Sequence, residues 1–561
     1  MFKTKSMAFI GSCSSAHMYK KIKKNDFKEL YYSYTSQHSV SIYDAINNPS
    51  SVINNKQFDI YMIDINDTIR QTLFVPASSS LNENPPSFYN DSIEQIIFQY
   101  QNSIEHLTNK YNNIVIIINK YIINPYNNKL FSYKYDSNIL KNYYKYGYLL
   151  YDLVNKYSNV YIYDTDIISN VYFLNTLSAP RHCYSGKFGE IYGSHINPDI
   201  ADQQYNLLIN ILKGIYRINE IKCVVVDLDN TMWEGVYLES NIQKCKLNHF
   251  RMNVLFQLLK QGIILCVCSK NNPDEKTLEE LKSMLNSISK HILIYKVNWK
   301  PKSENIREIS QKLNIDIKNI AFFDDQEFER NEVLNSLPGI NVYTDTDLDT
   351  ILLNGDFNTP IISLESSDRT EKYRLNFKRD DEEEKKNVKN NNTDNYYNYL
   401  KTLDFSISVK NADTNDDFIR AFELIQRTNQ QNITIKRLTL DEIKEFSKNN
   451  TVILFSLTDK FGEYGIICCI LLKKINNYYE IYEFAMSCRA MGKKIEESIL
   501  VYLNNYCLSK KINTIKCNFI ENDKNKSFIQ YFIDFGYIKQ DSGLIYNIKE
   551  NKKYPEWIKN I

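Results

Sequence analysis

Four segments between residues 222 and 330 each set a strand-like run before a side chain of a type that can bind phosphate or metal. In KCVVVDLDNTMWEGV, Lys222 to Val236, four apolar residues run straight into Asp227 and Asp229. IILCVCSKN, Ile263 to Asn271, exits on Ser269, and IAFFDDQEFER, Ile320 to Arg330, ends on Asp324 and Asp325. Between them WKPK, Trp299 to Lys302, fixes Lys302 beside a proline. Apolar runs of this length that stop abruptly read as buried parallel strands, and open α/β sheets carry their chemistry at the carboxyl edge.

Side chains on a strand alternate faces, but the chain turns at a strand's end, so Asp227 and Asp229 can converge on one metal and one phosphorus. Asp227 can attack phosphorus and form an aspartyl phosphate, while Asp229 can hand a proton to the leaving oxygen. Ser269 can hold a phosphate oxygen, Lys302 can neutralise the aspartyl phosphate, and Asp324 and Asp325 can complete an all-oxygen magnesium shell. Taken singly, these are a solvated turn, an ordinary strand end and a surface lysine. Their order along the chain makes them a phosphoryl-transfer site, with Asp227, Asp229, Asp324 and Asp325 expected as metal ligands.

The chain of 561 residues is too long for one core and is expected to divide into about three or four domains. Its apolar content of 43% is that of a globular protein, and a net charge of +1 disfavours nucleic-acid binding and attraction to an anionic membrane. The greasiest runs, Ile114 to Ile118 and Ile466 to Leu472, have strand length, so no membrane span is expected. MFKTKSMAFIGSCSS reads as a first buried strand rather than a signal segment. The eleven cysteines lie mostly inside apolar runs and include no zinc-type pair, which suits reduced thiols and a cytoplasmic location.

Residues 1–219 alternate strand candidates (Ser6 to Ile10, Ile60 to Ile65, Ile114 to Ile118, Val160 to Tyr163) with helical stretches such as Ser92 to Lys110, the order of a doubly wound α/β layer. Ser12 stands at the first strand's exit, like the nucleophile of SGNH-type esterases, and His195 lies late enough to serve as its base. The usual DxxH partner is missing, and a helix cap is the competing role for Ser12. Residues 220–365 hold the four segments and leave no room for a large lid. Residues 366–395 read as a charged, solvent-exposed helical connector followed by an Asn-rich break. In 396–561, strands at Thr451 to Leu457, Gly465 to Leu472 and Glu480 to Phe484 precede RAMGKK, Arg489 to Lys494, then a helix from Ile495. A strand, glycine turn and helix start can cradle an anion, or form a plain capped helix start. Asn429, Gln430, Asn432 and Arg437 can bond a pantetheine arm or serve as turn chemistry, and Asp459, Glu463 and Tyr464 form another polar cluster.

DLDNTMWEGV, CSKN, WKPK and FFDDQEFER match in order and spacing the four motifs of the haloacid dehalogenase (HAD) superfamily, subfamily IIIC, in the branch called FkbH-like proteins. RTNQQNITIKRLT, DKFGEYG and MSCRAMGKKIEESIL resemble that branch's C-terminal signatures. The last domain's order also resembles the GNAT acyltransferase fold, whose R/QxxGxG/A loop holds the pyrophosphate of coenzyme A. Arg489 and Gly492 fit that loop, whereas Lys494 stands where Gly or Ala is expected. Gln431, Glu463 and Glu234 are further departures from the FkbH-like pattern. The resemblance implies an α/β chain of three domains: an SGNH-like (flavodoxin-like) layer, a Rossmannoid HAD core without a large cap, and a GNAT-like α+β domain.

It also implies a function. FkbH-like proteins take 1,3-bisphosphoglycerate, remove phosphate and load a glyceryl unit onto an acyl carrier protein as a thioester, for polyketide-type assembly. Carried over, Asp227 is the nucleophile, Asp229 the acid and base, Ser269 and Lys302 the phosphate holders, and Asp324 and Asp325 magnesium ligands. Arg489, Gly492, Lys494, Asn429, Asn432 and Arg437 would meet a carrier-borne phosphopantetheine or an acyl-coenzyme A. Cys268, one residue before Ser269, can carry a transient thioester or lie in the core, because neighbours on a strand point oppositely. Competing functions are a magnesium phosphatase acting on a small metabolite, an N-acetyltransferase, and an esterase centred on Ser12.

Overall fold

The structure, a computed structural model, describes residues 2–11, 16–22, 26–34, 42–64, 93–120, 137–165, 201–240, 245–385, 393–428, 430–491, 493–523, 525–540 and 543–561. The chain divides into two compact units, Met1–Leu212 and Lys213–Ile561. Ser12, His195, Asn429 and Gly492 lie outside the described residues.

In the first unit, β1 (Phe2–Gly11), β2 (Phe27–Tyr34), β3 (Ile60–Asp64), β4 (Val115–Lys120) and β5 (Val160–Asp164) form one sheet, ordered β2-β1-β3-β4-β5. Every neighbouring pair is parallel. This is the strand order of doubly wound flavodoxin-like layers. Ile60 to Ile63 and Ile116 to Ile118 are fully buried, as parallel strands covered on both faces must be. Helix α1 (Ile93–Lys110) supplies part of that cover, presenting Ile93, Ile96, Tyr100, Ile104 and Leu107 at helical spacing.

The second unit begins with another parallel sheet. Strands β6 (Cys223–Val226), β7 (Ile264–Ser269), β8 (Ile292–Val297), β9 (Ile320–Asp324) and β10 (Asn341–Thr344) lie in the order β8-β7-β6-β9-β10. Alternation splits their side chains between two cores: Val224, Val226, Leu265, Val267 and Phe323 on one face, Cys223, Val225, Cys266, Cys268 and Phe322 on the other. Because β6 has β7 on one side and β9 on the other, the order reverses there, and such a reversal opens a crevice at the carboxyl edge. Between β6 and β7 the described residues hold only a short hairpin (Trp233–Glu234 with Lys246–Leu247), a four-residue helix and α2 (His249–Lys260). No lid-sized insertion stands there among them.

Helix α3 (Arg369–Lys385) corrects the solvent-exposed connector expected for this stretch. Not all of its charge faces water: Arg379, 2% exposed, reaches Asp459 with Nε at 2.6 Å and Nη2 at 2.8 Å. Tyr464 donates its hydroxyl to the same Asp459 at 3.0 Å, so that polar cluster anchors the helix. Tyr373 and Phe377, one turn apart, also pack on the core that holds Cys223 and Phe322, a stripe too short to stand out among the charges.

Beyond it lie helices α4 (Thr393–Lys401), α5 (Asn415–Arg427) and α6 (Ile495–Ser509) and an eight-stranded sheet. Its strands are β11 (Phe405–Asn411), β12 (Thr451–Asp459), β13 (Gly462–Ile475), β14 (Tyr478–Met486), β15 (Thr514–Cys517), β16 (Ile538–Gln540), β17 (Gly543–Asn547) and β18 (Ile558–Asn560), ordered β16-β17-β15-β14-β13-β12-β11-β18. Only the β14–β15 and β11–β18 pairs are parallel. A capping box at Thr414 and Asp417 starts α5, whose N-terminal N–H groups would otherwise lack partners.

Candidate active site

Asp227 follows β6 directly and Asp324 ends β9, so the two neighbouring strands bring these acids to one rim. The Asp227 N–H donates to Phe323 O at 2.9 Å, which ties the first acid to the strand carrying the second. Arg330 holds the next turn, donating from Nη1 to Asp324 O at 2.9 Å and to Asp325 O at 2.6 Å. One oxygen each from Asp227, Asp324 and Asp325 lies within 4.8 Å of the others.

Lys302 opens the helix Lys302–Leu313, behind Pro301, and its side chain is 3% exposed. Its ammonium sits 2.9 Å from Asp227 Oδ1 and also pairs with Asp324 Oδ2. Burial alone would pull the Lys302 pKa down, but Asp227 and Asp324 overcome it and hold the ammonium above its ordinary value. Three carboxylates against one ammonium leave two negative charges uncompensated in a buried site. Burial raises the Asp324 and Asp325 carboxyls, and the charge of Asp227 raises them further.

A divalent cation answers that imbalance. The donors are hard oxygens, and Asp325 Oδ1 is buried with no hydrogen-bond partner. Asp227, Asp324 and Asp325 therefore fit magnesium, which takes carboxylate oxygens together with phosphate and water.

Asp229 stands outside that cluster, which corrects its expected place among the ligands. Asn230 takes a left-handed turn with φ of 54°, and its Oδ1 accepts from Gly235 N at 3.0 Å, closing a tight loop. The loop turns Asp229 toward other donors: Trp233 Nε1 at 2.9 Å and Tyr237 N at 3.0 Å on Oδ1, and Asn271 Nδ2 at 3.3 Å on Oδ2. Burial raises its pKa, those bonds partly offset the rise, and Asp227 adds to it. A carboxyl held toward its protonated form is suited to giving up a proton.

Ser269 ends β7, 2% exposed, and its Oγ accepts from Asn271 Nδ2 at 3.1 Å. Asn271 thus joins the Ser269 hydroxyl to the Asp229 carboxylate. That role is not legible in the sequence, where an Asn after a strand most often caps a turn. Cys268 points to the opposite face, fully buried beside Cys223, Val225 and Cys266. Burial pushes its thiol up to about 12, so it is neither exposed nor ionised, and the thioester relay on Cys268 is set aside.

Two of the expected pantetheine contacts, Asn432 and Arg437, are used inside the fold. Asn432 is fully buried, with Nδ2 donating to Ile425 O at 3.4 Å and Oδ1 accepting from Ile435 N at 2.5 Å. Arg437 donates from Nη1 to the carbonyls of Ile425 and of Thr428, the latter at 3.0 Å, closing the end of α5. Both side chains are spent on backbone groups that a helix end leaves open. Lys494 caps α6 with φ of 54°, where the GNAT loop has Gly or Ala, and its ammonium bonds the Tyr397 hydroxyl on α4. Arg489 Nε meets its neighbour Ser487 Oγ at 3.2 Å.

No family model and no curated protein matches the chain. Among solved structures it is similar to the N-terminal part of a Bacteroides fragilis protein containing a phosphatase domain, complexed with magnesium: 21% identity over 60% of this chain and 88% of that one, TM-score 0.45. It is also similar to the ribosomal-protein-S18-alanine N-acetyltransferase of Escherichia coli, at 10% identity over 26% of this chain and 97% of that one, TM-score 0.21. A GNAT-family acetyltransferase from Staphylococcus aureus gives 16% identity over 26% and 100%, TM-score 0.21.

Proposed function

We propose that this protein is a magnesium-dependent HAD-type phosphatase and glyceryl transferase, acting on 1,3-bisphosphoglycerate and loading a glyceryl unit onto an acyl carrier protein. The observation that carries the phosphoryl-transfer part is the buried Lys302 ammonium paired with both Asp227 and Asp324, beside Asp325. The glyceryl and carrier parts rest on the resemblance of the motifs to FkbH-like proteins.

In this proposal Asp227 attacks phosphorus, the bond from phosphorus to the substrate oxygen breaks, and Asp229 gives that oxygen its proton. Water then cleaves the aspartyl phosphate, and Asp229 takes the proton back. Ser269 and Lys302 hold the phosphate oxygens in line. Magnesium, when bound at Asp227, Asp324 and Asp325, neutralises charge on the transferred group. With Cys268 in the core, the carrier's own thiol attacks the acyl phosphate carbonyl, the carbon–oxygen bond to phosphate breaks, and inorganic phosphate leaves.

The burial of Cys268 also favours a second reading, a plain phosphatase acting on a small phosphorylated metabolite. One experiment separates the two: intact-mass spectrometry of a phosphopantetheinylated carrier protein after mixing with this protein, magnesium and 1,3-bisphosphoglycerate. Glyceryl transfer adds a glyceryl mass to the carrier. Phosphate release with no mass gain leaves only the phosphatase.

A further inference from the structure

A cavity of about 190 Å³ in the second unit lies at the opposite, amino end of the parallel sheet. Lys222, just before β6, forms part of its wall, and Asp227 follows five residues later at the other end, roughly 16 Å along an extended strand. The other walls come from α3, from the end of α5, and from the loop after β14.

Its lining is strongly cationic. Lys222, Arg369, Arg420, Arg427 and Arg489 face Asp316, Glu365 and Glu423, five positive groups against three carboxylates. Arg420 is matched, with Nε 3.2 Å from Glu365 and Nη1 3.2 Å from Glu423, and Arg427 reaches Glu220 behind the wall at 2.7 Å. Lys222 donates to Arg427 O at 3.4 Å, and Arg369 Nη1 to Gly262 O at 3.0 Å. Arg489 Nη1 and Arg427 Nε are buried with no hydrogen-bond partner. Buried donors on charged groups carry a large desolvation cost until an acceptor meets them. Burial, then the charge of Arg420, pushes the Arg489 pKa down to about 10, and burial, then Arg427, lowers Arg369. An anion between them would reverse both effects.

We propose that this cavity is a second anion site that takes one small phosphate-class group. Guanidinium forks match the tetrahedral oxygens of phosphate, and converging arginines from separate elements are the usual means of holding it. The volume lies below the roughly 300 Å³ at which pockets begin to hold drug-sized ligands, so a phosphate or small phosphate ester fits and a whole coenzyme does not. A bound anion would join the start of β6 to α3 and α5, independently of the chemistry at Asp227.

The phosphate group can come from a free metabolite or from a phosphopantetheine arm. The test is isothermal titration of the full chain, in EDTA, with inorganic phosphate and separately with 4′-phosphopantetheine. The Arg489 variants separate this cavity from the acidic site, whose phosphate holders Ser269 and Lys302 they leave in place. Binding is expected in the native protein, and about tenfold weaker in Arg489→Gln, the loss of one charged hydrogen bond. Tighter binding of phosphate identifies a free metabolite, and tighter binding of 4′-phosphopantetheine identifies the arm. Arg489→Lys, which keeps the charge and loses the fork, is expected to fall between and covers the case in which Arg489→Gln does not fold. No binding of either probe, or full affinity in the folded Arg489 variants, overturns the proposal.

Discussion

Trp233 donates its indole N–H to Asp229 Oδ1 at 2.9 Å, the same oxygen that accepts the Tyr237 N–H. Two donors on one oxygen therefore orient the candidate acid and lower its proton affinity. Hydrogen bonds to a carboxylate favour its charged form, so they hold the Asp229 pKa below where burial alone would put it.

Trp233→Phe keeps the bulk and removes that donor. Asp229 should then hold its proton to higher pH, moving the basic limb of the phosphatase kcat profile upward. Stability should fall by about 1.5–3 kcal/mol, the usual contribution of a hydrogen bond to a charged group. A pH–rate profile with a thermal melt checks both, and an unmoved basic limb removes Asp229 as the acid.

Asp227→Asn and Asp325→Asn should fail differently. The first removes the proposed nucleophile and should lower kcat on the order of 10⁴-fold or more. The second leaves Asp227 and removes one oxygen of the proposed metal site, so activity should return in part at high magnesium. Steady-state rates across a magnesium titration distinguish them.

Stability without metal should fall as pH rises. Asp229 and Asp325 have raised pKa values and Asp324 is pushed up to about 6, burial being the first cause in each. Between the ordinary carboxylate range and those values the folded state binds more protons than the unfolded one, and that advantage is lost as pH climbs through the window. Magnesium needs the carboxylates ionised, so its stabilising effect should be larger near about pH 7.5 than near about pH 5. Melting curves with magnesium and with EDTA at both values provide the check.

Cys268→Ala should leave phosphate release intact, because the thiol faces the core, and should cost about 1 kcal/mol through the lost packing. Activity lost from a folded Cys268→Ala protein would restore the thioester relay.

Arg379→Met should destabilise the second unit by roughly 3–5 kcal/mol, since it leaves Asp459 buried without its partner. Arg379→Met with Asp459→Asn should recover much of the loss. Urea melts of the single and double variants measure the coupling.

The strand ends were legible because alternation and apolar content say where a buried strand stops. Phe322 and Phe323 fall on opposite cores, and Asp324 comes next at the rim. The orientation of Asp229 was not, because one left-handed residue, Asn230, decides it, and a local turn leaves no periodic trace. The same limit hid Asn271, whose role depends on two residues placed around it by different strands. Helix α3 misled for another reason: Arg379 looks identical on paper whether its charge meets water or a buried carboxylate.

Both outermost strands of the eight-stranded sheet, β16 and β18, are three residues long. Each offers little unpaired backbone to a neighbouring molecule, which is how sheets resist sticking to one another. Clipping residues 558–560 would uncover the longer β11 and turn a guarded flank into a template for aggregation. Loss of those three residues would therefore threaten solubility before it touched the chemistry.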